Sequence, residues 1–200
     1  MKPTTWPLPF LILTLGLLTG CSRDDSPAPA AEATYTRSVA YLDTASPSQL
    51  DSTFKSPVLD TFAQQNANYL TVFVQRPPNR EAISFSFVRA KLPANLVGTY
   101  SFKTKQNTAP DVDFAYRIEM TDQRGPGVFG YNVYDRLIYS PTGSFTITAY
   151  DAKHRLVSGL FEVNVPNASD PFALYSTAIP RRCNLSLQGT FTNALVQDVE

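Results

Sequence analysis

From residue 34 to the C-terminal end, apolar and polar residues alternate in short runs broken by turn residues. A period of two puts successive side chains on opposite faces of an extended chain, so the pattern predicts half-buried β-strands. The clearest single run is 82–90, where Ile83, Phe85 and Phe87 share one face and Ser84 and Ser86 the other. The best-defined pair spans 143–165. Folding it about Lys153 sets Phe145 opposite Phe161, Ile147 opposite Gly159, Ala149 opposite Val157 and Asp151 opposite Arg155, with every apolar member on one face. A slip of one residue would turn that set outward, which fixes the register. Gly159 in mid-strand marks a bulge or the close approach of a neighbouring backbone.

Further strands are expected at 35–42, 58–63, 69–75, 98–103, 114–120 and 128–139, the last bending near Asp135. The C-terminal end supplies 183–187 and 190–196, interrupted at Gln188 and Gly189, after a long loop over 166–180 with room for one short strand. The total is about nine to eleven strands. Regular turn signals point to an all-β, antiparallel fold, either a β-sandwich or a closed or partly closed β-barrel. The 13 Phe and 10 Tyr residues agree with strands, and 16 prolines, mostly between apolar runs, disfavour long helices.

The first 33 residues follow another pattern. A basic start at Lys2 precedes an apolar run over 8–18, shorter than the roughly 20 residues a membrane-spanning helix needs. Leu18-Thr19-Gly20-Cys21 then sets small residues directly before a cysteine, which is the cleavage box of a lipoprotein signal peptide. Residues 1–20 are thus expected to be removed and Cys21 to be lipidated on its thiol and new amino end, since stable anchoring takes more than one acyl chain. Residues 21–33, with alternating Pro and Ala, form a tether, and 34–200 a single domain. Ser22 is not the aspartate that retains lipoproteins at the inner membrane. Cys21-Ser22-Arg23-Asp24-Asp25 resembles the surface-export signal of Bacteroidetes lipoproteins, so the expected location is the outer membrane, with surface exposure open.

Charge narrows the partners. Lys and Arg number 17, as do Asp and Glu, with no block of one sign, so there is no footprint for nucleic acid and no polybasic membrane face. The partners expected are the membrane, through lipidated Cys21, and an envelope protein or glycan. With Cys21 lipidated, Cys183 is a lone thiol, read as a small apolar residue opening a strand beside Arg181 and Arg182.

Catalysis has little to work with. The one histidine, His154, lies in a polar turn, and there is no Gly-x-Ser-x-Gly elbow, no Gly-rich phosphate loop and no zinc-ligand spacing. Asp111-Val112-Asp113 lacks the spacing and glycine of a helix-loop-helix calcium loop and reads as a solvated turn. No metal, no cofactor and no catalytic residue is expected. Two non-enzymatic roles stay open, with a hydrolase behind both. One is a surface binding or structural module, in which Tyr131, Tyr134 and Tyr139 either form a sugar-stacking face or cap the sheet edge. The other is a lipocalin-like barrel carrying a small apolar ligand.

Several segments together resemble an uncharacterised domain family of Bacteroidetes lipoproteins. They are Leu92-Pro93 with Gly98-Thr99-Tyr100, then the run from Gly143 through Tyr150 to Asp151, Ser158-Gly159-Leu160-Phe161 and Gly189-Thr190-Phe191. Leu160 departs from the small polar residue more usual there. The resemblance implies a lipid-anchored all-β domain and brings no catalytic residues with it.

Overall fold

A computed structural model describes residues 28–43, 48–77, 81–109, 111–121, 129–173 and 180–200, with backbone alone at 120–121 and 129–130. The expected signal peptide and Cys21 lie outside the described residues, as do residues 122–128 between the strands expected at 114–120 and 128–139. Among the described residues the chain is all-β. Its strands are β1 (Glu32–Tyr41), β2 (Gln49–Lys55), β3 (Asp60–Gln65), β4 (Tyr69–Arg76), β5 (Glu81–Val88), β6 (Gly98–Ser101), β7 (Val112–Thr121), β8 (Phe129–Asp135), β9 (Thr142–Asp151), β10 (Leu156–Ser169) and β11 (Arg182–Asp198).

Nine strands form one curled sheet in the order β6-β9-β10-β11-β3-β4-β5-β7-β8. An isolated bridge between Phe102 and Val112, with the Lys103 N–H donating to the Val112 carbonyl at 2.8 Å, draws β6 back towards β7 and partly closes the curl. The length of β11 makes a branch possible. One edge carries β1 along Cys183–Thr192 and then β3, in parallel, along Leu195–Asp198. β1 and β2 thereby form a two-stranded wing on an otherwise continuous wall.

The predicted face of β5 is the centre of the core, with Ile83, Phe85 and Phe87 all buried. The β9–β10 pair keeps Phe145 opposite Phe161 and Ile147 opposite Gly159, as its pattern requires. A bulge between Ser158 and Gly159 then shifts the register, so that Ala149 faces Ser158, Tyr150 faces Val157 and Asp151 faces Leu156. Ala149 therefore points to solvent, and Tyr150 packs against the core in its stead. The expected Asp151–Arg155 pair does not form. Asp151 holds His154, and Arg155 makes two 2.8 Å hydrogen bonds to Asp198.

Other departures have equally local causes. Gly189 does not interrupt the last strand: a Cβ there would lie 2.6 Å from both Phe161 Cζ and the Thr34 carbonyl, so the glycine is a slot for its neighbours. Most of the first residues of the loop expected over 166–180 continue β10 to Ser169, past a register shift and Asn167 at φ 51°. Val112 and Asp113 belong to β7 and not to a turn, Val112 fully buried and Asp113 paired with Lys103 at 2.7 Å. β8 ends at Asp135, whose Oδ1 accepts the N–H groups of Leu137 and Ile138 and turns the chain. β2, unmarked by alternation, is mostly exposed and, among the described strands, pairs with β1 alone.

Candidate functional site

Among the described residues, the chain's own rings pack the interior around Phe85. Phe85 has Phe145 at 4.4 Å, Phe161 at 5.0 Å, Phe114 at 5.9 Å and Phe102 at 6.0 Å between centroids. Phe87 meets Tyr100 and Phe145 edge-on, both at 5.2 Å. Tilted and edge-to-face rings at such separations attract one another beyond their area of contact. Tyr100 also donates its hydroxyl to the Leu96 carbonyl at 2.7 Å, which ties the corner before β6 to the strand.

Beside this core sits a buried charge cluster where the β1–β2 wing meets β5 and β7. Arg37 and Glu81 are 5% and 2% exposed, low enough that either charge without the other would be costly. The Arg37 guanidinium donates to Glu81 Oε1 at 2.5 Å, and the Tyr116 hydroxyl donates to the same oxygen at 2.6 Å. Arg76 reaches Glu81 Oε2 at 3.3 Å. The apolar faces are closed by rings: Arg37 lies 5.3 Å from the Phe54 centroid and 4.8 Å from that of Phe172. Burial, then the Glu81 charge, pushes the Tyr116 phenol well above its usual range, so it stays a donor. Burial alone would lower the Arg37 pKa, but Tyr116 and Glu81 outweigh it and hold the cation. Tyr35 OH and Arg37 Nε have no hydrogen-bond partner among the described residues.

Chemically this is a clamp. Both carboxylate oxygens of Glu81 are engaged by donors, and the site joins strands distant in sequence. Its sequence signal was present: on β1 Arg37 falls in the inward register of Ala33, Tyr35 and Val39, and Glu81 opens the Ile83–Phe85–Phe87 face of β5. A charge in an apolar register is the mark of a buried pair.

The three predicted tyrosines do not share a surface. Tyr131 is 44% exposed and lies beneath Arg117, whose guanidinium is 5.8 Å from the ring centroid. Tyr134, an odd number of positions later, turns inward, is buried and donates to the Ser169 carbonyl at 2.9 Å. Tyr139 stacks on it at 5.4 Å and accepts the Ser169 N–H. Tyr134 and Tyr139 thus brace the end of β10, and of the two roles open to the three tyrosines, a shared sugar-stacking face is not assembled. Cys183 is fully buried on β11; burial, then Asp170, pushes its thiol pKa up to about 11 against the opposing pull of Arg182 and Arg181. His154 sits in the β9–β10 turn with Nδ1 2.6 Å from Asp151 Oδ2.

No protein-family model matches the chain, and no curated protein matches it either.

Proposed function

We propose that the chain is a lipid-anchored envelope protein, held at the outer membrane by acylated Cys21, whose β domain works without catalysis as a surface binding or structural module. The observation that carries the choice of surface over interior is the ring cluster around Phe85, which occupies the space a lipocalin-like ligand would need. The arrangement of titratable groups supports a non-enzymatic role. The buried carboxylate is engaged by three donors, the thiol is buried and held protonated, and the one histidine faces a turn aspartate. The lipoprotein reading rests on the cleavage box at residues 18–21, and kinship with the Bacteroidetes lipoprotein domains on the segments quoted for it.

Cys21→Ser tests the anchor by cell fractionation and immunoblotting. The wild-type chain is expected in the outer-membrane fraction at its processed size, and the variant as soluble protein or uncleaved precursor. Membrane retention of a normally processed variant would contradict the anchor.

A further inference from the structure

The outer wall of the sheet carries a second pattern, running across the strands. Strand register aligns Leu195, Phe62, Phe73, Ser84 and Ala115 in one row over β11, β3, β4, β5 and β7. Two positions further along each strand, Gln197, Gln64, Thr71, Ser86 and Asp113 form a parallel row. The row between them, Val196, Ala63, Val72, Phe85 and Phe114, is buried, so the two outer rows share the opposite, solvent-facing side. At about 4.8 Å between strands each row is roughly 19 Å long, and the rows lie about 7 Å apart.

One row is mainly apolar and the other polar. Phe62 and Phe73 stack at 5.0 Å, and half-exposed Tyr69 lies four residues from Phe73 along β4, on the far side of the polar row. Three of the polar groups are held in place: Thr71 and Ser86 hydroxyls bond at 2.9 Å, while Lys103 at 2.7 Å and Arg136 hold the Asp113 carboxylate. Grooves of about 470 Å³, along Gln64, Tyr69, Thr71, Ser86 and Asp113, and about 480 Å³, along Phe62, Gln64 and Gln197, meet at Gln64.

We infer that this wall binds a neutral oligosaccharide, a reading that rests on the domain acting through its surface. A pyranose presents C–H groups on its faces and hydroxyls around its rim. The face of one sugar unit fits the Phe62–Phe73 stack and that of another fits Tyr69 across the polar row, while the rims fit the amides and hydroxyls between them, which both donate and accept. Two charged side chains line the grooves: Asp113, already compensated by Lys103 and Arg136, and exposed Asp60 at the end of the second, so the wall favours an uncharged ligand over an anionic one. Thr71, Ser86, Asp113 and the two stacked Phe rings, held before the ligand arrives, lose little entropy on binding it.

The test is calorimetric titration of the full lipidated chain, in a detergent without a sugar headgroup, with cellohexaose, mannohexaose and chitohexaose. At least one is expected to bind, about tenfold or more weakly after Tyr69→Ala or Gln64→Ala and unchanged after Tyr131→Ala, with the unfolding midpoint of each variant confirming its fold. Failure of all three, or binding indifferent to Tyr69 and Gln64, overturns the inference. A photo-crosslinking residue at position 69 in the cell envelope separates the two failures. A protein adduct without hexaose binding rejects the glycan and keeps the surface role; neither adduct nor binding rejects both.

Discussion

Gly159 shows how one position can constrain two strands. A Cβ there would lie 2.3 Å from the Thr146 carbonyl and 2.9 Å from Phe191 Cζ, so even Gly159→Ala forces backbone or ring to move. Overpacking of this kind costs typically 1–3 kcal/mol, and Gly159→Val should exceed Gly159→Ala in urea denaturation. Unchanged midpoints would contradict the packing. Cys183 offers a second test at the same scale. A thiol in an unfolded chain has a pKa of about 8.5, and the folded protein pushes Cys183 up to about 11, so the native state holds the proton more tightly. Its contribution to stability is therefore complete below about pH 8.5 and is lost as pH rises towards 11. A disulfide reagent at pH 8 should leave Cys183 unmodified in the native chain and label it on unfolding. Rapid native labelling would place the thiol at the surface.

Among the elements, the clamp joins the wing to the wall. Arg37 on β1 and Glu81 on β5 are 44 residues apart in sequence, and their hydrogen bond spans the gap between wing and core. Removing one partner strands the other charge, so Arg37→Met or Glu81→Leu alone should cost about 3–5 kcal/mol, whereas the double variant should recover much of that loss. A double-mutant cycle by chemical denaturation measures it, and additive losses would show that the two charges do not depend on each other. The same elements show what was legible in the sequence. β5 and the central β9–β10 register could be read because a two-residue period and one buried face determine them together. The bulge at Ser158 could not, since one extra residue preserves composition and breaks only the count. β2 escaped notice because an exposed strand needs no apolar face, and Gly189 read as an interruption because a packing slot and a turn call for the same residue. The charge cluster was visible as two charges in apolar registers, but pairing β1 with β5 required the topology.

At the scale of the whole molecule, one strand organises the architecture. β11 is long enough to hold β10 along one edge and both β1 and β3 along the other, which sets the wing and the curled wall on a common spine. Alternation forecast an all-β sandwich or barrel but carried no hint of the parallel β11–β3 pairing, because strand direction leaves no trace in a two-residue period. The aromatic-rich stretch left Tyr131, Tyr134 and Tyr139 as either a stacking face or an edge cap, and the fold divides them between outside and inside. The outward aromatic positions of β3 and β4 are ordinary strand residues until the register aligns them. The proposed anchor, by contrast, rests entirely on the first 21 residues.

The central claim is a lipid-anchored domain with a filled interior, and mass spectrometry of the full chain extracted from cell membranes tests both parts together. The account predicts a chain that begins at acylated Cys21 and has the same mass under native and denaturing conditions. A native-only additional mass, released on unfolding, would contradict the filled interior, and a chain lacking acyl groups on Cys21 would contradict the anchor.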